Sequence, residues 1–175
     1  MARFIQWFSG VGLAVSGLLA FAAPVDAASA SAAHDKAAIQ ALESRFAAAF
    51  NAKDVNAIMR VYLPGPNLFV FDVTPPRQHV GWSDYKADWE ETFKTTPGPV
   101  RFSISDLSVT VVGPVAYGHS IQELAFTRAN GSKAELVVRV SDVYRKIHGR
   151  WLIVQEHVSV PVDLDTGKAD LLSKP

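Results

Sequence analysis

The chain has 175 residues, of which 49% are hydrophobic, and its 17 Lys and Arg residues balance its 17 Asp and Glu residues. This length supports one domain with a substantial hydrophobic core. A formal net charge of zero leaves no long-range field that would attract a phosphate backbone, which argues against nucleic-acid binding. The absence of cysteine excludes disulfides, thiolate metal ligands and thioester chemistry.

The first 30 residues have the composition of a secretory leader. Arg3 precedes an apolar stretch over residues 11–23, and small residues follow, as in a signal peptide and its cleavage site. We therefore predict a signal peptide over residues 1–27, with cleavage possible up to residue 30, and export to the periplasm or the medium. The alternative is an uncleaved anchor over residues 4–23, which approach the ~20 residues that a membrane-spanning helix needs.

Three helices are predicted in the N-terminal half of the mature chain. Apolar residues recur at helical spacing over residues 35–50, and a shorter second helix follows with Asp54 as its N-cap. A strand is predicted over residues 67–73. Ser83 is predicted to cap the third helix, in which aromatic residues recur at every fourth position until Pro97.

The C-terminal half is predicted to form an antiparallel meander of four strands. Gly-Pro, Asn-Gly and His-Gly turn signals separate the four segments. Helices packed on such a sheet make an α+β fold. We predict a domain over residues 35–160 and a C-terminal tail over residues 161–175. The four strand segments lie near residues 100–112, 115–128, 133–147 and 150–160.

The hairpin turns predict which side chains share a face, provided that each is a two-residue loop. Counting from the Asn-Gly turn pairs His119 with Asp142. Counting from the His-Gly turn pairs Asp142 with Gln155, and Val140 with His157. One face then combines apolar walls with a few convergent polar groups, as in a small-molecule pocket. A one-residue bulge would exchange the two faces beyond it.

Two segments resemble the SnoaL-like branch of the nuclear transport factor 2-like superfamily. They are the segment from Phe46 to Trp82 and the closing DVYRKIHGRWLIVQEHVS, which begins at Asp142. The resemblance covers about residues 35–160. It implies a cone in which three N-terminal helices pack on a strongly curved antiparallel sheet around a cavity, commonly as a homodimer. The resemblance specifies the function less closely than the fold, because the superfamily includes isomerases, dehydratases, cyclases and a kinase association domain.

The resemblance to ketosteroid isomerase implies roles for two aspartates. Asp72 occupies the position of the general base in that family. Asp142 occupies the position of its protonated aspartic acid, whose pKa an apolar site raises. Phe46 departs from the pattern, because the isomerase has its oxyanion-hole tyrosine at this position. Loss of such a hydrogen-bond donor typically lowers the rate by ~10²–10³. This departure argues against steroid isomerisation itself.

Two histidines extend the predicted catalytic set. His119 would orient Asp142 by a hydrogen bond, and His157 would transfer a proton, in an arrangement that resembles the set in scytalone dehydratase. Structural roles are the alternative, with Asp72 in a turn and Asp142 in an ion pair. Spacing on a sheet gives only weak support for zinc binding by the two histidines and Asp142. The predicted ligand contacts are Phe46, Tyr62, Tyr117, Val140, Tyr144, Ile153 and Gln155.

We expect an exported homodimer whose cavity binds a small, mostly apolar molecule. If the protein is an enzyme, we expect proton transfer of the isomerase, dehydratase or cyclase type with Asp72 as the base, without an organic cofactor or a metal. The alternative is a noncatalytic binding or oligomerisation module that resembles the association domain of calcium/calmodulin-dependent kinase II. No membrane contact is expected beyond the signal peptide.

Overall fold

Helices and one curved six-stranded sheet make up residues 25–173, which the computed structural model describes. Most of the predicted signal peptide lies outside these residues, so export remains a prediction. No helix in the described part is both long and apolar enough to cross a membrane. The elements are α1 Val25–Asn51, α2 Val55–Met59, β1 Phe69–Phe71, β2 His79–Val80, α3 Trp82–Thr95, β3 Val100–Val112, β4 Val115–Thr127, β5 Lys133–Ile147 and β6 Arg150–Ser159.

The strands are ordered β2-β1-β6-β5-β4-β3 across the sheet. The antiparallel meander predicted for the C-terminal half is confirmed by the pairing of β3 to β6. The short strand β1 adds to it in parallel along β6, with Val70 opposite Glu156. Bulges between Ser105 and Ser108 in β3, and after Ile153 in β6, interrupt the ladder and bend the strands.

The second and third helices begin in different ways. Asp54 caps α2 as predicted, accepting a hydrogen bond from the Ala57 N–H at 2.8 Å. The prediction that Ser83 caps α3 is wrong, because Gly81 occupies that position at a φ of 92°, which glycine adopts without steric cost. Trp82 then donates its indole N–H to the Met59 carbonyl at 2.9 Å. This bond anchors the start of α3 to the end of α2.

The β4–β5 hairpin differs by one residue from the prediction. The Arg128 N–H donates to the Ser132 carbonyl at 2.8 Å, so the loop has three residues rather than two. Gly131 lies at a φ of 82°, as in a type I turn followed by a left-handed residue. Gly118 therefore faces Asp142 in place of His119. The predicted pairing of His119 with Asp142 is wrong for this reason.

The β5–β6 hairpin follows the predicted register only in its first part. Tyr144 pairs with Ile153 as predicted, but Val154 is an extra residue in β6, and Asp142 consequently pairs with Glu156. The predicted pairing of Asp142 with Gln155 is wrong because of this bulge.

Beyond the same bulge, Val140 pairs with Val158 rather than with His157. The side chains of Gln155 and His157 are exposed, whereas Glu156 is buried. The bulge therefore exchanges the faces of β6, so that a carboxyl group replaces an amide and an imidazole on the inner side.

The core lies between the helices and the inner face of the sheet. Phe46 and Phe50 of α1 pack against Phe102 of β3, with ring centroids 5.5 and 4.3 Å from the Phe102 ring, respectively. Trp89 of α3 joins them, 5.2 Å from the Phe50 ring. Burial of such rings supplies much of the apolar area that stabilises a domain of this size. The same rings form one wall of the cavity described below.

Candidate functional site

A cavity of about 190 Å³ lies between the helices and the inner face of the sheet. An engineered cavity of about 150 Å³ holds benzene, so this one has room for one aromatic ring with a small substituent. Its polar lining groups include Asp72, Asp88, Glu156 and Gln122. Its aromatic walls include Phe46, Phe50, Trp89, Phe93, Phe102 and Phe126.

Asp72 and Glu156 reach the cavity from neighbouring strands. Val70 and Glu156 are partners in the parallel ladder and both are buried. Asp72 lies two residues beyond Val70 and therefore continues on the same inner side. The Tyr85 hydroxyl lies between the two carboxyl groups, 3.0 Å from Glu156 Oε1 and 3.5 Å from Asp72 Oδ2. The cavity thus contains two acidic side chains joined through one phenol.

Glu156 is buried and held by two tyrosines. Its second carboxyl oxygen, Oε2, accepts a hydrogen bond from the Tyr62 hydroxyl at 2.9 Å, and the side chain is buried. Burial raises the pKa of Glu156 to about 8, even though the hydrogen bonds from Tyr62 and Tyr85 lower it. Burial also raises the pKa of each tyrosine well above its ordinary value. At neutral pH, Glu156 is therefore largely protonated and the two phenols remain hydroxyl donors.

A second acidic group lies behind the cavity wall. Tyr144 places its hydroxyl 2.9 Å from Glu43 Oε1 and 3.2 Å from Asp142 Oδ2. Burial and the neighbouring Glu156 and Glu43 carboxyls raise the pKa of Asp142 well above its ordinary value. Burial raises the pKa of Glu43 to about 7. Because Asp142 pairs with Glu156 across the sheet, the acidic groups continue from the cavity into the core.

Asp72 has a more mixed environment than Glu156. Burial raises its pKa, and the nearby Asp88 carboxyl raises it further. Backbone N–H groups of Val73 and Thr74 stabilise the charged form and act in the opposite direction. The two carboxyl groups that share Tyr85 therefore differ in how strongly each retains its proton. Unequal environments of this kind separate an acid from a base.

The predicted site residues fall into three groups. Asp72 and Phe46 line the cavity. Asp142, Tyr62, Tyr144, Val140 and Ile153 are buried but lie outside the cavity lining. Tyr117, His119, Gln155 and His157 are exposed, because the three-residue loop and the Val154 bulge turn them away from the inner face.

The histidine that does approach the cavity is His79, which the sequence analysis did not single out. It is buried, with Nδ1 3.2 Å from Asp84 Oδ2 and Nε2 3.8 Å from Asp88 Oδ1. Its short strand β2 carried no periodic signal. Glu156 was missed for a different reason: it stands between Gln155 and His157, and the bulge decides which of the three faces inward.

Within residues 25–173, no three His, Cys, Asp or Glu side chains are grouped so that they could hold a metal ion. The zinc alternative required His119 and His157 beside Asp142. Both histidines are exposed, whereas Asp142 is buried on the inner face. These three side chains therefore do not form a common ligand set.

Residues 39–163 match the SnoaL-like domain family, and the chain belongs to this family. Its fold is the nuclear transport factor 2-like fold. An NTF2-like protein of unknown function from Pseudomonas putida KT2440 shares 27% sequence identity, with a TM-score of 0.72 and coverage of 84% of this chain and 98% of that chain.

Two further solved structures are similar in fold. A ketosteroid isomerase-like protein from Erwinia carotovora atroseptica is 22% identical, with a TM-score of 0.60 and coverage of 70% of this chain and 93% of that one. A Xanthomonas campestris protein provisionally assigned as a calcium/calmodulin-dependent protein kinase II association domain is 20% identical, with a TM-score of 0.60 and coverage of 69% and 84%. No curated protein sequence matches the chain significantly.

Proposed function

We propose that the protein binds a small, mostly apolar molecule in this cavity and moves a proton on it, as isomerases, dehydratases and cyclases do. The observation that carries the proposal is the pair of carboxyl groups, Asp72 and Glu156, joined by the Tyr85 hydroxyl in an otherwise largely apolar cavity. Acid and base groups of unequal proton affinity in one site are the requirement for such chemistry.

Asp72 acts as the base and removes a proton from a carbon next to a carbonyl group. Glu156, protonated at neutral pH, donates a hydrogen bond or a proton to the carbonyl oxygen as negative charge develops there. In an isomerisation, Asp72 returns its proton to another carbon and Glu156 recovers its own, so that no atom is gained or lost. Glu156 thereby supplies the donor that Phe46 lacks at the position of the isomerase tyrosine.

Hydrogen–deuterium exchange tests this proposal without knowledge of the natural substrate. Acetophenone, one ring with a short ketone, suits the cavity volume, and NMR in D₂O follows exchange of its methyl protons. Asp72→Asn is expected to lower the exchange rate by about 10²–10⁴ while acetophenone still binds. The control is Asp106→Asn, which removes an exposed carboxyl in the β3 bulge and should exchange as the unchanged protein does. Binding of acetophenone and related small ketones without exchange would refute the catalytic proposal.

We also propose that the mature protein is exported and forms a homodimer. The leader-like composition of the first 30 residues supports export. The outer face of the sheet exposes large apolar side chains, with Tyr117 55% and Val115 38% accessible, and a second copy would cover them. The same face supports the second candidate function, a noncatalytic assembly module. Native mass spectrometry separates the two, since a dimer with an open cavity favours ligand binding and a larger ring favours assembly.

A further inference from the structure

The cavity has acidic groups without a basic counterpart in its wall. Asp72, Asp88 and Glu156 line it, and none of its lining residues within the described chain is Lys, Arg or His. His79 lies beside Asp88, with Nε2 3.8 Å from Asp88 Oδ1, but it is not part of the lining. The buried carboxyl of Asp142 stands behind Glu156 in the paired strand. A carboxylate ligand would meet like charge here, whereas a cation would meet acceptors.

Much of the remaining wall is aromatic. The rings come from three elements: Phe46 and Phe50 from α1, Phe102 from β3, and Trp89 and Phe93 from α3. Aromatic faces attract organic cations, and the attraction grows when water is excluded. Aromatic rings combined with carboxyl groups are the chemistry by which proteins recognise ammonium groups.

An unpaired donor also marks the cavity as a binding site. Trp89 lines the cavity, and its indole Nε1 is buried without a hydrogen-bond partner in the described residues. A buried N–H group left unpaired costs free energy. The π face of an aromatic occupant would accept this N–H group weakly, so the unpaired donor indicates a ring-bearing ligand and does not discriminate between an amine and an alcohol.

We propose that the ligand class of this cavity is small organic amines, bound as ammonium ions with the nitrogen toward the carboxyl groups and the apolar body against the rings. The inference rests on the proposed role of the cavity as a ligand site, and it is independent of the proton-transfer step. At about 190 Å³, the cavity accommodates a body of about one aromatic ring.

Amine binding is coupled to the proton on Glu156. Within the described chain, the groups that act most strongly on Glu156 are acidic or phenolic, namely Tyr62, Tyr85, Asp72, Asp142 and Glu43. Burial raises the pKa of Glu156 to about 8, so the empty cavity holds this proton at pH 7. A bound ammonium favours the charged carboxylate and lowers that pKa. Binding therefore releases a proton, and affinity rises as the pH increases toward 8.

Calorimetry with three ring compounds of matched size tests the proposal. Benzylamine is cationic, benzyl alcohol neutral and benzoate anionic at pH 7. We expect benzylamine to bind at least tenfold more tightly than benzyl alcohol, and benzoate to bind most weakly. The binding enthalpy measured in two buffers of different ionisation enthalpy should show net proton release for benzylamine and none for the other two compounds. Equal or tighter binding of benzyl alcohol, or no binding of any of the three, would overturn the proposal.

Variants locate the effect in the cavity. Glu156→Gln and Asp88→Asn should each weaken benzylamine binding about tenfold and thereby reduce its advantage over benzyl alcohol. Glu123→Gln and Glu91→Gln, which alter exposed carboxyls on β4 and α3, are the matched controls and should leave all three affinities unchanged. Unaltered benzylamine affinity in both cavity variants contradicts the proposal. If Glu156→Gln fails to fold, the unchanged protein still tests the proposal through its preference for benzylamine and its proton release on binding.

The two proposals fail in different ways. Loss of the benzylamine preference with intact deuterium exchange of acetophenone removes the amine proposal alone. A benzylamine preference without any exchange removes the proton-transfer proposal and leaves the amine site.

Discussion

Glu156 shows how one buried side chain links the chemistry of the cavity to the stability of the fold. It accepts hydrogen bonds from Tyr62 and Tyr85, contributed by different parts of the chain, and faces Asp142 across the sheet. These bonds offset part of the cost of burying a polar group. They also fix the position of the carboxyl group, as a catalytic or binding group requires.

The raised pKa of Glu156 predicts that stability falls as the pH rises. The folded protein holds the proton up to about pH 8, whereas the unfolded chain releases it near 4.3. Between these values the folded state binds more protons, so the free energy of unfolding decreases with increasing pH. We expect a loss of a few kcal/mol between pH 5 and pH 8, measured by urea unfolding. Glu43, raised to about 7, adds to the same slope.

Glu156→Gln is the variant that tests this linkage. Its amide does not titrate, so the slope of stability against pH should become shallower, whatever the effect of the substitution on stability at pH 5. Glu123→Gln, exposed on β4, should retain the full slope. A slope that is identical in all three proteins would show that Glu156 does not titrate as inferred.

At the scale of the elements, local periodicity and turn residues predicted the helices and the meander, whereas the place of Asp72 in the site was implied by the resemblance to ketosteroid isomerase. The face of the sheet on which an individual strand residue lies was not predictable. Side chains alternate between the two faces along a strand, so a single extra residue in the Asn-Gly loop or at Val154 moves the residues beyond it to the opposite face. For that reason the predicted inner-face positions of His119 and His157 are wrong, and Glu156 occupies the inner position on β6.

Gly118 of β4 lies close to the backbone of β3 and to the Tyr144 side chain. A Cβ atom there would lie 2.9 Å from the Ser108 carbonyl oxygen and 3.5 Å from the Tyr144 hydroxyl. The backbone oxygen cannot move away as freely as the end of a side chain, so the pairing of β3 with β4 should be disturbed, whereas the Tyr144 hydroxyl lies at an ordinary contact distance.

Gly118→Ala is therefore expected to destabilise the protein by about 1–3 kcal/mol, as overpacking substitutions do. Chemical denaturation measures this loss. His119→Ala, at the next position but exposed, should change stability by less than about 0.5 kcal/mol. A Gly118→Ala variant as stable as the unchanged protein would show that β3 and β4 separate there at little cost.

For the whole molecule, the balance of charge conceals an uneven distribution. The chain is neutral, with 17 basic and 17 acidic residues, yet the cavity lining contains carboxyl groups and no basic side chain among the described residues. A neutral molecule exerts little long-range attraction. Recognition of a cation would therefore depend on short-range contacts in the cavity, and excess salt should weaken it only slightly.

The exposed outer face of the sheet predicts the oligomeric state. Tyr117 is 55% accessible and lies on this face, where a second copy would bury it. Tyr117→Lys is expected to convert a dimer to a monomer in native mass spectrometry and size-exclusion chromatography, because burying an unpaired charge is costly. Leu164→Lys, at a position 93% accessible in the tail, is the control. A monomeric unchanged protein, or a dimer that survives the Tyr117 change, would exclude this face as the interface.

The bulge at Val154 has a consequence for divergence within the family. The residue is extra to the ladder, since Tyr144 pairs with Ile153 before it and Val143 with Gln155 after it. Deleting it leaves both sets of partners in place and only makes the pairing regular. A relative one residue shorter at this position would therefore keep its carboxyl group in the cavity. This strand tolerates the loss of one residue without altering the chemistry of the wall, whereas a deletion beyond the bulge would replace that carboxyl group with a neighbouring side chain.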